Sequence, residues 1–298
     1  MVSVLVLGGT GFVGCHLCNV FNGEGFDVVA ASLNPGNEAF PLDDGIEKRK
    51  VNILDNDSLD FEGFDVVVNL VGLSPLREPR GVSYRDIHVE GVENVVEEFN
   101  SSDAGFLVHM SALGADKSGD TEYIRTKGEG EDLVREKVDN YVVLRPSVLF
   151  GEGGEFVKSI QDVAEKTPVF PLPMKGETRF QPVYIGDLTH GIKNIVKNQG
   201  ENSGEIFEFG GPEVLSFRDV AEKVFMHVRN SQPVFIPIPR FATFTGLAIS
   251  EVLPLTPVGL DQYNSLKTDN VLTGDNGFAK LGFETDELSS LDSYLSRN

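Results

Sequence analysis

Positive charge is scarce in this sequence. Lysine and arginine number 25 against 46 aspartates and glutamates, a formal net charge of −21 over 298 residues. That balance argues against a general nucleic-acid or anionic-membrane binder, since either must neutralise phosphates. It is the balance of a solvated acidic surface, and its spread along the chain also matches adaptation to a salt-rich medium that screens self-repulsion. Long apolar runs are missing too. None approaches the ~20 residues of a membrane-crossing helix, so no transmembrane segment is expected, while peripheral membrane or complex association stays open. No leader pattern precedes the first strand-like residues, and a cytoplasmic protein is expected. Cysteine is limited to Cys15 and Cys18, three apart. We read them as small apolar residues of a helix, because no second ligand pair stands at metal spacing; no metal is expected, and His16 reads as a surface or packing residue. Internal repeats and low-complexity tracts are absent.

What is present begins at once. Val4-Leu5-Val6-Leu7 runs into Gly8-Gly9-Thr10-Gly11-Phe12-Val13-Gly14. An apolar strand, a glycine turn and a helix start in that order suit a pyrophosphate, because glycines let the backbone approach it and the helix N-terminus meets its charge. Cys15 to Asn22 continues as a helix, and Phe26 to Ala31 is a second strand, closing one βαβ unit. Its tip, Ser32-Leu33-Asn34, should face the adenosine ribose, where an acid would hold the hydroxyls of NAD. Ser32 and Asn34 supply neither an acid nor an arginine, so the reading leans mildly towards NADP over NAD.

Further strands are expected at 50–53, 64–72, 106–110 and 141–146, with helices over 84–99 and 122–137. This alternation predicts an α/β fold with a doubly wound parallel sheet of Rossmann type. Beyond Gly151 the pattern loosens, and a smaller C-terminal substrate lobe is expected. Residues 1–150 with 183–212 form the nucleotide-binding domain in this reading, and 151–182 with 213–298 form the lobe. A strand at 183–185 should return to the nucleotide-binding domain. The apolar stretch 235–260, interrupted by four prolines, reads as lobe packing rather than a membrane span, with a membrane or partner contact as the other reading.

Three residues carry candidate chemistry. Tyr123 and Lys127, four apart on a helix, share a face. An ammonium and an oxidised nicotinamide nearby would both lower the phenol's pKa from ~10. Tyr123 could then exchange a proton with a substrate oxygen that Ser111, at the end of the fifth strand, holds during hydride transfer.

With these motifs together, the chain resembles the extended or atypical short-chain dehydrogenases/reductases, in the NAD(P)-dependent epimerase/dehydratase group. The resemblance rests on GGTGFVG at 8–14, NLVG at 69–72, HVEGVENV at 88–95, YIRTK at 123–127, LRPSVLFG at 144–151 and QPVYIGDL at 181–188. NLVG, SALGA, QPVYIGDL and the proline-rich C-terminal part most resemble the branch containing the nine-type accessory subunit of mitochondrial complex I and its prokaryotic relatives.

The resemblance implies that Gly8, Gly11 and Gly14, with Thr10, Phe12 and Val13, surround the pyrophosphate, and that Asn52 and Ile53 lie by the adenine. Leu70, Val71 and Gly72 would line the ribose path. Lys127 would reach the nicotinamide ribose, and Pro146, Ser147 and Val148 the carboxamide. It also implies an oxidoreductase or epimerase with a Ser-Tyr-Lys site, or a non-catalytic NADPH-binding scaffold like the complex I subunit. A homodimer through the helices at 84–99 and 122–137 is implied as well. Leu33 stands where NADP-using relatives often carry Arg, and His88 where many carry Asn. Arg179 and Gln181 are candidate substrate contacts, with a surface ion pair as the other reading of Arg179.

Overall fold

The computed structural model describes residues 1–75, 81–238 and 267–297. Seven parallel strands form the central sheet: β1 (Ser3–Leu7), β2 (Asp27–Ser32), β3 (Glu47–Lys50), β4 (Val66–Asn69), β5 (Phe106–Met110), β6 (Tyr141–Pro146) and β11 (Ile206–Phe209). Their order is β11-β6-β5-β4-β1-β2-β3. The order reverses between β1 and β4, so the carboxyl ends of these two strands open the crevice where doubly wound sheets take ligands.

Period-two alternation explains the layers. In β1, Val4 and Val6 face one side and join a core with Leu17, Cys18 and Phe21 of α1 (Phe12–Gly23) and Leu188, Ile192 and Ile195 of α5 (Ile185–Lys197). Leu5 and Leu7 face the other side, with Val92, Val95, Val96 and Phe99 of α2 (Gly91–Ser101) and Val134 of α3 (Glu122–Lys137). Each such fully buried side chain stabilises by ~1.5–3 kcal/mol relative to exposure, which is why the inner strands read as unbroken apolar runs.

A third core joins Phe150, Phe170 and Leu172 to α4 (Glu155–Lys166), α7 (Phe217–Arg229) and the short helix Leu291–Leu295. Phe170 lies 5.6–6.3 Å, ring to ring, from Phe217, Phe225 and Phe235. Two-stranded pairs frame this region: β7 (Leu149–Phe150) with β10 (Val183–Tyr184), β8 (Val169–Pro173) with β13 (Val234–Ile238), and β9 (Arg179–Phe180) with β12 (Leu215–Ser216).

Three expectations are corrected. The third strand is Glu47–Lys50, not 50–53: at a sheet edge the side chains are solvated, so a charged stretch can pair by backbone alone while the apolar Val51 and Ile53 turn inward beyond it. The fourth strand is only Val66–Asn69. The residues at 183–185 give a two-stranded pair with β7, and Val183 and Ile185 join the first core. The helix over 84–99 is a π-type turn, Asp86–Glu90, running into α2. Of the apolar stretch 235–260, residues 239–260 lie outside the described residues. Among the described residues, no helix is long and apolar enough to cross a membrane.

Candidate functional site

The glycine turn is built by steric necessity. Gly8 has φ +81°, a conformation L side chains rarely adopt. A Cβ on Gly14 would fall 2.1 Å from the Gly8 carbonyl oxygen, and one on Gly9 would fall 2.6 Å from Ala30 Cα. Helix, turn and β2 therefore meet backbone to backbone, and Gly8 and Gly9 both donate N–H groups to Ala31 O at 2.8 and 2.9 Å. Gly11 is the N-cap of α1, without a side-chain cap or an acidic residue in the first turn. The positive end of the helix and its unpaired N–H groups are thus left to an anion. Phe12 and Val13 turn their side chains into protein, Phe12 against Gly154 and Val13 against the first core.

Beside the turn lies a cleft of about 370 Å³. Thr10, Gly11, Ser32, Asn34 and Glu38 are among the residues that line it. Sequence reasoning found no acid at the tip of β2. An acid, Glu38, lines the same cleft from four residues beyond Asn34.

Asn52 and Ile53 are engaged in local structure. Asn52 Oδ1 accepts from Leu54 N–H at 3.2 Å, and the Ile53 carbonyl accepts from Asn94 Nδ2 at 2.9 Å. After β4, Leu70 N–H bonds Leu7 O, Val71 N–H bonds Asn69 Oδ1 at 3.1 Å, and a Cβ on Gly72 would stand 3.0 Å from Lys127 Nζ. Gly72 and Lys127 therefore stand against each other.

Lys127 is buried and donates to the Met110 carbonyl at 3.0 Å, one residue before Ser111. Burial lowers its pKa to about 8. Tyr123, one turn earlier on the same face of α3, packs edge-on against His88 at 5.6 Å and Tyr84 at 5.7 Å. Burial, and then the neighbouring Tyr84, push its phenol well above the ordinary value. The lowering expected from Lys127 is thus not a property of the polypeptide alone, because the ammonium is turned to a carbonyl. Ser111 Oγ is buried and makes no hydrogen bond among the described residues, and neither does Ser32 Oγ. Two hydroxyls without a partner among the described residues, at the carboxyl ends of β2 and β5, and a helix N-terminus without a side-chain cap fit a dinucleotide lying across the crevice.

Two buried histidines support this floor. His88 Nε2 accepts from Leu73 N–H at 3.0 Å, so the proton sits on Nδ1, 3.0 Å from Thr126 Oγ1. His109 Nδ1 lies 3.4 Å from Asn69 Nδ2, which leaves its proton on Nε2. Burial, then the Lys127 charge, depress the pKa of His88 to about 2 and of His109 to about 3. Unfolded, each would titrate near ~6.5. The unfolded chain therefore binds more protons below that pH, and the stability that neutral histidine contributes, complete above ~6.5, is lost as pH falls towards the folded values. Urea unfolding at pH 5 should show about 2 kcal/mol less stability per histidine than at pH 7, and the His88→Gln/His109→Gln variant a much smaller drop.

Ser147 Oγ lies 2.7 Å from Asn270 Oδ1, which also accepts from Val148 N–H at 3.1 Å, and Asn270 Nδ2 donates to Leu113 O at 3.3 Å. Pro146 O accepts from Leu113 N–H at 3.0 Å. Asn270 thus fastens the segment 146–148 to the loop after Ser111, a role no sequence signal announced. Arg179 and Gln181 both bond the same C-terminal segment. Arg179 Nε and Nη2 donate to Asp269 Oδ2 at 2.9 and 2.7 Å, and Gln181 Oε1 accepts from Leu272 N–H while its Nε2 donates to Gly211 O. Of the two readings of Arg179, the structure forms the ion pair, and Gln181 is a structural tie.

The family model described as "NAD dependent epimerase/dehydratase family" matches residues 4–210. The chain is 27% identical over 247 residues to a Dictyostelium discoideum protein, covering 78% of this chain and 66% of that one. It is 28% identical over 295 residues to an Arabidopsis thaliana protein, covering 92% and 72%. Both are named NADH dehydrogenase (ubiquinone) 1 alpha subcomplex subunit 9, mitochondrial, and the chain spans about two thirds of their length. Among solved structures, the dTDP-glucose 4,6-dehydratase DesIV of Streptomyces venezuelae, with NAD and TYD bound, superposes with TM-score 0.74 at 19% identity, over 99% of this chain and 95% of that one. This last likeness shows the fold alone. The names of the sequence relatives overturn two expectations: they are mitochondrial rather than cytoplasmic, and they are subunits of a larger assembly rather than self-contained homodimers.

Proposed function

The chain belongs to the NAD dependent epimerase/dehydratase family, and from that premise we propose that it binds a nicotinamide dinucleotide across the glycine turn and acts on a carbon bearing a hydroxyl or carbonyl. The observation that carries this reading is Ser111 Oγ, buried and without a hydrogen bond among the described residues, next in sequence to Met110, whose carbonyl holds Lys127. A bound nicotinamide supplies the hydride exchange. Ser111 holds the substrate oxygen, Tyr123 gives or takes its proton, and Lys127 supplies the positive charge beside them. Gly8, Gly11 and Gly14 receive the pyrophosphate; Leu70 to Gly72 flank the ribose. Residues 151–182 and 213–298 form the substrate lobe in this proposal, supported by the separate core around Phe170 and Phe225.

A second reading, a dinucleotide-holding subunit without turnover, is favoured by the names of the sequence relatives. Calorimetric titration with reduced dinucleotides tests what both readings share. The Gly11→Ala variant, whose new methyl meets only Gly8 O at 3.2 Å, should fold and bind at least about tenfold more weakly, since it intrudes on the phosphate approach. Turnover of any member of a panel of sugars, nucleotide sugars and lipid-like carbonyls then separates the two. Tight binding with no turnover would favour the assembly subunit.

A further inference from the structure

We infer that Glu38 reads the adenosine ribose and, with Ser32, selects a dinucleotide with a free 2′-hydroxyl over one with a 2′-phosphate; the inference rests on the dinucleotide reading of the glycine turn. Nothing in the motif places Glu38 there. The chain beyond β2 folds back on the turn: Asn37 N–H donates to Asn34 O at 3.1 Å, and Ala39 N–H donates to Thr10 O at 2.9 Å. Phe40 stacks on His16 of α1 at 4.2 Å, and Gly153 packs so closely that a Cβ there would stand 2.6 Å from Ala39 O. These contacts fix the residue between Asn37 and Ala39 on the wall of the cleft that Ser32 and Asn34 also line.

Chemistry then decides what the wall receives. Lys48, paired in register with Ala30 on the neighbouring strand, bonds Glu38 Oε1 at 2.5 Å. The ammonium is thereby committed to the carboxylate. It orients Glu38 and, through that hydrogen bond above all, holds the carboxyl below its usual range, so the acid is ionised at neutral pH. An ionised carboxylate accepts hydrogen bonds and offers none, so it suits a ribose hydroxyl. A 2′-phosphate brings about −1.5 to −2 charge and would meet that carboxylate with no uncommitted cation in the pair to offset it. Ser32 Oγ, buried and without a hydrogen bond among the described residues, is the complementary group, able to donate to or accept from the same ribose. The acid that NAD-selective proteins carry at the tip of β2 is thus supplied here by the loop that follows.

The test is direct titration of the whole protein with NADH and NADPH, read by the fluorescence of the reduced nicotinamide. Wild type should bind NADH at least about tenfold more tightly. Glu38→Gln removes the charge and frees Lys48, so NADH should weaken, NADPH should tighten, and the ratio should fall by about tenfold or more. Lys48→Met leaves the carboxylate without its counter-charge, and should weaken NADPH further while NADH stays within about threefold. Tighter binding of NADPH by wild type, or an unchanged ratio in Glu38→Gln with an unaltered unfolding midpoint, would overturn the inference alone. Binding of neither dinucleotide by folded wild type would instead overturn the dinucleotide reading and this inference with it.

Discussion

Glu131→Ala should cost about 3 kcal/mol of folding stability, the lower end of what breaking a buried ion pair costs. Glu131 lies on α3 with its side chain only 2% exposed, and both its oxygens are taken by Arg145 of β6, Nε at 2.9 Å and Nη2 at 2.7 Å. The remaining Arg145 nitrogen, Nη1, reaches Glu208 at 3.1 Å, and Glu208 is Arg145's register partner on β11. Burial pulls the guanidinium's pKa down, and the two carboxylates outweigh it. Removing Glu131 leaves Arg145 with the more exposed of its partners and with its own 21% exposure, which is why the loss stays near the lower end. At about 2 °C per kcal/mol for a chain of this size, the unfolding midpoint should drop by about 6 °C. A Glu131→Leu/Arg145→Met variant, which removes both charges, should recover most of that loss. If the double variant proved as unstable as the single one, the burial of charge would not be the cause.

The glycine turn and the apolar strands could be read from the sequence because their physics is local. A left-handed Gly8, a Gly14 that must touch Gly8 O, and a β1 alternating Val4 and Val6 against Leu5 and Leu7 are all set within a few residues. Tyr123 and Lys127 were legible for the same reason, as one face of a helix. What stayed hidden depends on contacts between distant parts of the chain. Lys127 finds its partner in a carbonyl of β5, Asn270 crosses more than a hundred residues to Ser147, and Arg179 meets Asp269. Glu38 is nearer in sequence, yet its position depends on Ala39 bonding Thr10 and Phe40 stacking on His16, neither of which has a periodic signature. The displaced third strand has a different origin. A reading that seeks apolar residues settles on Val51 and Ile53, whereas the edge position of Glu47–Lys50 requires only backbone pairing.

The largest effect on activity is expected at Tyr123. With Tyr123→Phe, turnover of any carbonyl or hydroxyl substrate should fall by about 10²–10⁴, the range that general acid–base catalysis supplies. Dinucleotide affinity should stay close to that of wild type, because the lost hydroxyl serves the substrate. The direction of reaction sets the pH dependence. Burial, with Tyr84 beside it, holds the phenol protonated well beyond neutral pH. Reduction of a carbonyl, which needs a proton donor, should therefore run unchanged across the neutral range. Oxidation of a hydroxyl needs the phenolate, so its rate should rise with pH. Lys127 sharpens the test, since its own pKa is lowered by burial to about 8 and it loses its charge above that value. A cation nearby favours the phenolate. Lys127→Met should accordingly slow oxidation below about pH 8, where the ammonium is charged, change it little above that, and leave the reduction profile flat. An oxidation rate unchanged below about pH 8 in Lys127→Met would show that the ammonium does not act on the phenol. Turnover that survived Tyr123→Phe would show that another group carries the proton.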